Sequence, residues 1–374
     1  MKAFLYKLRF ETAVHFGASD SALSLYVSED HFCADTLFSA LCHTANALYG
    51  PEGAAALCAD AKKGELLLSD SMPWRESASG EDTLFLPRPM MVSQSRRETD
   101  PSRRKDMKKL NWLPVSSLED FTASIRGETE FDISGILRDF GKNFGRAGVT
   151  ERASIAREAG KDANPYPVGL FHFHQGRDAL PDCGLYVLAL FQDAALSGQL
   201  LTLLKVLGMT GIGGKISSGY GKFSVKETID LDCPPDAQTA WLRDALRRKD
   251  AAGQLLLTAS LPRPEEMETA LDGAYFQMIR RAGFVRPAGE EKQGRKKRTQ
   301  YFLAAGSVLR RRFSGDVYPV GNVPPSGGGV RTDNGAARTD GGESVPVLRY
   351  GRPVFLGIPS AETDDAGENI GGNG

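Results

Sequence analysis

Cysteine is scarce in this sequence and unpaired by pattern: Cys33, Cys42, Cys58, Cys183 and Cys233 are all there is, and no two form a C-x-x-C spacing. An odd number at wide spacing excludes a disulfide framework and a zinc knuckle as the basis of the fold, and fits a reducing cytoplasm. A surplus of positive charge is missing too. Lysine and arginine number 46 against 47 acidic residues, a formal net charge of -1, so any nucleic-acid surface must be local. Long apolar runs are also lacking. Lys2, Lys7, Arg9 and Glu11 interrupt what a signal peptide would need, and no uncharged apolar run reaches the roughly 20 residues that span a bilayer. The expectation is a soluble, cytoplasmic protein without membrane attachment.

What is present suffices for two packed domains: 374 residues, 41% of them hydrophobic. Residues 2–10 alternate apolar and polar as a half-buried strand does. In DTLFSALCHTANALYG, Leu37, Leu41, Ala45 and Leu48 share a helical face, with Asp35 as the expected N-cap and Gly50-Pro51 as the stop. GELLLSDSM and DTLFLPRP read as strands. The basic run 96–109 reads either as a solvated surface loop or as a contact for phosphates. Residues 141–167, rich in Gly, Ala and charge, read as a long excursion from the core. The strands GLFHFHQG and CGLYVLALFQD follow, then a helix carrying Leu200, Leu203, Leu204 and Leu207, a glycine-rich loop and the strand KFSVKE.

This order is that of a β-α-β-β-α-β unit. QLLLTASL, the Pro-initiated helix PEEMETALDG, AYFQMIRRAGFV and YFLAAGSVLRRRF read as a partial second copy. The expected fold class is therefore α+β: two ferredoxin-like (RRM-like) domains, over 1–228 and 229–360, with long insertions at about 88–167 and a glycine-rich loop at 208–221. Loops at 286–299 and 321–345 are expected to be mobile, and the tail 361–374 disordered.

The glycine-rich loop is the strongest chemical signal. Gly208, Gly211, Gly213, Gly214, Gly219 and Gly221 are interleaved with Lys215, Ser217, Ser218 and Tyr220. Glycines let a backbone turn through positive φ and approach an anion closely, while Tyr220 offers a face on which a base can stack. A Walker A loop is excluded, because Ile216 follows the lysine and Met209 stands where the first glycine belongs. A dinucleotide fingerprint is excluded because the loop follows a helix and precedes a strand, the reverse of the Rossmann order. A merely flexible loop is the remaining alternative. His15 stands after the first strand, where a general base, a nucleotide contact or a structural hydrogen bond would each fit. His172 and His174 share a strand face without a carboxylate or thiol at ligand spacing.

The segments LRFETAVHFG, SEDHFCADTLFSALC, GIGGKISSGYGKF, GSVLRRRF and LRYGRPVFLGIP together resemble the RAMP superfamily of CRISPR proteins. Within it they are most similar to the fourth Csm subunit of type III-A effectors, a relative of the Cas5 group. The resemblance implies a non-catalytic RNA-binding subunit that grips the repeat-derived 5′ tag of crRNA. It implies as partners the large signal-synthesising subunit and the backbone subunits, with target RNA met indirectly, and no cofactor or metal. The RNA-binding residues it implies are His15, Phe16, Asp35, Thr36, Arg152, Gly211, Gly213, Gly214, Lys215, Ser217, Ser218, Gly219, Tyr220, Gly221 and Arg310. An enzyme is the alternative: a RAMP endoribonuclease that processes pre-crRNA, with His15 as general base and Lys215 or Tyr220 assisting. A stand-alone RRM module would need an RNP aromatic pattern, which the sequence lacks.

Overall fold

Strand β1 (Lys2–Phe10) is an inner strand of the main sheet and is covered on both faces. Tyr6, Leu8 and Phe10 point into one core and Leu5 into another, as the period of two along a strand requires. Lys7 shares the Leu5 side of the pleat's alternation, and its buried ammonium is bonded to Asp82 (2.8 Å) and Glu227 (2.7 Å). The computed structural model describes residues 1–17, 24–77, 82–92, 101–154, 164–176, 180–285, 295–323, 331–333, 336–338 and 345–359.

After β1 come the short strands β2 (Phe16–Gly17) and β3 (Ser28–Glu29), helix α1 (Ala34–Lys63), and strands β4 (Leu66–Leu68), β5 (Met72–Glu76) and β6 (Asp82–Pro87). Helix α2 (Pro101–Lys109), strand β7 (Trp112–Pro114) and helices α3 (Leu118–Ile125) and α4 (Ile133–Asn143) lead into the long antiparallel hairpin of β8 (Gly145–Ser154) and β9 (Asn164–Phe173). Then follow β10 (Cys183–Phe191), α5 (Leu196–Thr210) and β11 (Phe223–Asp230). The main sheet runs β11-β1-β10-β5-β6-β7, with β4 also paired to β10, and its pairings are antiparallel. Taken as β1, α1, β4, β10, α5 and β11, the chain is strand, helix, strand, strand, helix, strand, and the sheet order is fourth, first, third, second.

Helices α1 and α5 cover one face of this sheet, burying Leu37, Leu41, Ala45, Leu200, Leu203, Leu204 and Leu207 against Tyr6, Leu8, Leu185 and Val187. The other face carries Leu5, Trp74, Tyr186 and Leu188. It is covered by α3, by α6 (Ala237–Arg247) and by strand β12 (Gly253–Leu256), which pairs with β15 (Val308–Leu309) and β20 (Phe355–Ile358) in the order β15-β12-β20. The expected C-terminal unit therefore shares a core with the first: Leu255, Leu257, Leu356 and Ile358 lie in the same cluster as Leu5 and Leu188. Between β12 and β15 stand α7 (Met267–Leu271) and the hairpin β13 (Met278–Arg281) with β14 (Gln300–Leu303). Before β20, β16 (Val317–Val323) pairs with β19 (Val345–Tyr350), and β17 (Arg331–Asp333) pairs with β18 (Ala336–Arg338). The chain is thus mixed helix and strand, α+β.

Several expectations need correction. The N-cap of α1 is Cys33 rather than Asp35, because the Asp35 carboxylate is engaged elsewhere. Gly50-Pro51 stops the first helical segment as expected, but the chain resumes a helix at once, so that α1 is two segments across a kink: Gly50 leaves the helical region (φ 73°, ψ -172°), Pro51 re-enters it, and a left-handed Gly64 closes the second segment. The basic run becomes helical from Pro101, where α2 packs on α4 and Ser134 donates to Asp106 (2.7 Å). The excursion at 141–167 is largely the end of α4 and the β8–β9 hairpin. Within 321–345, residues up to Val323 are paired with β19, and 331–338 contain the β17–β18 pair. The expectations for most of 286–299 and for the tail 361–374 lie outside the described residues. No helix among the described residues is long and apolar enough to cross a membrane.

Candidate nucleic-acid interface

The glycine-rich loop runs from the end of α5 into β11 and is moulded onto the chain that leaves β1. The amide of Gly221 donates to the carbonyl of Ala13 (2.9 Å), that of Gly214 to the carbonyl of His15 (2.8 Å), and Ile212 to Gly221 (3.0 Å). Space requires glycine at most of these positions. A methyl group at Gly221 (φ 77°) would lie 2.1 Å from the Ile212 oxygen, and one at Gly214 would lie 2.6 Å from Cδ2 of His15. Gly219 (φ 85°) differs: nothing lies within 4 Å of where its Cβ would stand. Lys215 is the sole non-glycine residue at positive φ (59°) among the described residues, a local conformation the surrounding fold must hold.

The hairpin β8–β9 closes over this loop. Arg152 and Tyr166 are register partners across it. The guanidinium of Arg152 lies 5.1 Å from the ring centroid of Tyr220 and donates to its hydroxyl. The ammonium of Lys215 lies 4.7 Å from the ring centroid of Tyr166 and donates to its hydroxyl at 3.2 Å. The two pairs therefore interlock the hairpin and the loop, each with one cation and one tyrosine. Neither cation meets a carboxylate among the described residues, and Nε of Arg152 is buried without a hydrogen-bond partner among them. Such charges, compensated by ring faces and phenol oxygens, suit an anion. Ser217 and Ser218 are exposed beside them on a short 3₁₀ turn.

His15 serves as the joint between loop and hairpin. It is 7% exposed, and its Nδ1 donates to the Gly169 carbonyl at 2.7 Å while its own carbonyl receives Gly214. With the proton on Nδ1, the lone pair of the neutral ring is on Nε2. Phe16 is buried too, its ring against Phe10 (6.0 Å) and Phe32 (5.3 Å). Both residues belong to the floor of the site rather than its surface.

The remaining sequence-predicted residues lie apart from the loop. The Asp35 carboxylate is buried and paired with Arg281 of β13 through Nη2 and through Nε at 3.1 Å. Thr36 Oγ1 accepts from the same guanidinium (3.2 Å). Burial alone would raise the Asp35 carboxyl; the Arg281 charge and hydrogen bond outweigh it and hold the group below its ordinary value. Arg310 follows β15 in the three-stranded sheet, against the turn at Gly273. His172 lies opposite Arg146 on the hairpin, and among the described residues no three His, Cys, Asp or Glu side chains are grouped to hold a metal ion. Sequence reasoning missed Tyr166. Its signal was faint: an aromatic between Pro165 and Pro167 at the start of a strand.

The comparisons with known proteins point the same way. A family model described as the CRISPR Csm4 C-terminal domain matches residues 249–326. A relative from Mycobacterium tuberculosis (strain H37Rv), "CRISPR system Cms protein Csm4", is 32% identical over 365 residues, covering 96% of this chain and 99% of its own. A relative of the same description from Streptococcus thermophilus is 26% identical over 325 residues, 84% of this chain and 91% of its own. Among solved structures, a chain of the Csm3-Csm4 subcomplex of the type III-A CRISPR-Cas interference complex superposes with a TM-score of 0.56 at 16% identity, covering 96% of this chain and 99% of that one. A chain of the Csm1-Csm4 cassette in complex with cA4 gives 0.51 at 16%, covering 97% and 100%. The solved structures establish the likeness of fold, and the sequence identity across nearly the full length of both chains establishes kinship: this chain belongs to the Csm4 family.

Proposed function

We propose that the chain is the subunit of a type III-A CRISPR effector that grips the repeat-derived 5′ tag of crRNA and, in the cytoplasm, docks the large signal-synthesising subunit and the backbone subunits. Kinship with Csm4 proteins supports this, since Csm4 relatives stand in solved assemblies with Csm1 and with Csm3. The observation that carries the RNA reading is the interlocked quartet of Arg152, Tyr220, Lys215 and Tyr166. Two cations without carboxylate partners among the described residues take phosphates, and two tyrosines take bases, which is how single strands are held without pairing. His15 and Phe16 then act by shaping the floor.

The sheet order fourth, first, third, second supports a ferredoxin-like N-terminal unit, and β20-β12-β15 supports a partial C-terminal copy, in which hairpins stand where the second strand and second helix would be. We place their boundary after β11. The chain acts as a binding subunit rather than a nuclease in this reading, because His15 is buried beneath the loop, so that the lone pair on its Nε2 is poorly placed to reach a ribose hydroxyl.

The test is binding of the purified chain to an RNA that carries the repeat-derived tag, against a shuffled RNA of equal length, over a series of salt concentrations. Preference for the tag, a negative slope of log affinity against log salt, and intact RNA in the absence of metal are expected. Site-specific cleavage without metal would make the chain an endoribonuclease.

A further inference from the structure

Helix α1 brings together two thiols that lie far apart in its sequence. Cys42 stands in its first segment and Cys58 in its second, and their Sγ atoms are 3.7 Å apart. On a straight helix, residues separated by 16 positions would be about 24 Å apart. The bend at Gly50 therefore creates the pair. Gly50 adopts φ 73°, and the position of its missing Cβ is open to solvent or space, with nothing within 4 Å. Both thiols are partly exposed, whereas Cys183 is buried with its Sγ on the Phe144 carbonyl.

We propose that Cys42 and Cys58 form a redox pair that a low-molecular-weight disulfide converts into an intrachain disulfide, stapling the two segments of α1. The inference concerns α1 and is independent of the RNA reading. The hydrogen bond with Cys42 holds the Cys58 thiol below its ordinary value against the opposing effect of burial, with Lys62 one turn away assisting, and the same contact pushes Cys42 up. Lys62, one turn from Cys58 and the one cation acting on either thiol among the described residues, makes Cys58 the attacking sulfur and Cys42 the resolving one. In the first exchange the Cys58 thiolate attacks one sulfur of oxidised glutathione. The glutathione S–S bond breaks, a mixed disulfide forms, and one glutathione leaves as a thiolate. In the second, Cys42 gives up its proton to solvent and attacks the Cys58 sulfur, which releases the second glutathione. Two electrons pass from the protein to the oxidant. Side-chain rotation closes the sulfurs from 3.7 Å to the bond length of about 2.0 Å.

The staple would bear on the C-terminal half of the molecule. The second segment of α1 ends where the buried Arg352 donates to the carbonyl of Lys62, beside Gly64. Fixing the bend fixes this junction.

The experiment uses the full chain, treated with oxidised glutathione, alkylated, and cleaved at Glu52, which lies between the two cysteines. The fragments on either side should remain joined until dithiothreitol is added, Cys42 and Cys58 should both be lost as free thiols without either carrying glutathione, and the melting midpoint should rise by a few degrees. Cys58→Ser should give neither the joined fragments nor the rise. The proposal is overturned if Cys42 and Cys58 are recovered unlinked, whether reduced or each carrying glutathione, under conditions in which the exposed Cys233 reacts.

Discussion

Arg152 and Tyr166 face each other across the β8–β9 hairpin and reach different residues of the glycine-rich loop, Arg152 touching Tyr220 and Tyr166 touching Lys215. The hairpin is therefore a lid whose grip on the loop is made of the same groups that would hold a nucleotide. If RNA takes these groups, each deletion should cost binding and little else. Tyr166→Ala and Tyr220→Ala are each expected to weaken binding of tag RNA by about 1–3 kcal/mol, the value of one stacked base. Equilibrium titration checks this, with circular dichroism to confirm that the fold persists.

The glycines of the loop divide by what surrounds them. Gly214 is packed against His15, so Gly214→Asp should disturb the fold itself, at about 1–3 kcal/mol from overpacking, with RNA binding lost as a consequence. Gly219 has open space, and aspartate tolerates the left-handed region better than most side chains. Gly219→Asp should therefore keep the melting midpoint within a few degrees of the parent while adding a negative charge where a phosphate would approach. Thermal denaturation and RNA binding, measured on the same two variants, separate the roles.

Asp35 was the residue whose place the sequence hid most completely. Its partner Arg281 is 246 positions away, so reading Asp35 as a helix cap or an RNA contact was all that local sequence allowed. Arg281→Ala would strip the buried Asp35 carboxylate of its hydrogen-bonded cation and leave Arg349, at 3.7 Å, as its remaining ion-pair partner among the described residues, a loss of about 1.5–3 kcal/mol in a urea unfolding experiment. A loss below about 1 kcal/mol would mean that the pair is solvated as surface pairs are.

β1, α5 and β10 were legible because their apolar residues follow one period each, and β10 is apolar almost throughout, as a strand covered on both faces must be. Helix α6 was missed although Asp236 caps it by accepting from Thr239 (2.8 Å), since Ala237, Arg243 and Arg247 dilute its stripe of Leu242, Ala245 and Leu246. Strand β8 was illegible for a different reason, although the second half of β9 was read as the strand GLFHFHQG. Val149 is 68% exposed and Arg152 packs through its charge rather than an apolar face, so no hydrophobic alternation marks the strand. The glycine-rich loop stood out by composition, but that Gly214 serves His15 was a matter of tertiary contact.

Asp70 links acidity to stability. Its buried carboxylate accepts from the amides of Ala34 (2.7 Å) and Ala259 (3.0 Å), yet desolvation prevails and pushes the group up to about 6 from 3.8. Between those values the folded chain binds more protons than the unfolded one, so this contribution is full below about 3.8 and falls as pH rises through about 6. The loss is on the order of 3 kcal/mol. Asp70→Asn, which cannot ionise, should show a flatter change in urea midpoint across this window than the parent, and equal slopes would contradict the assignment.

The central claim is that the loop and hairpin hold the 5′ tag of crRNA, and ultraviolet crosslinking of the assembled complex, with the RNA-linked peptides read by mass spectrometry, tests it most directly. The tag nucleotides should crosslink to peptides containing Tyr166 and Tyr220, and these adducts should vanish when the tag is removed from the guide. Tag nucleotides crosslinked solely to other subunits, or to this chain only at the β13–β14 hairpin, would contradict the account.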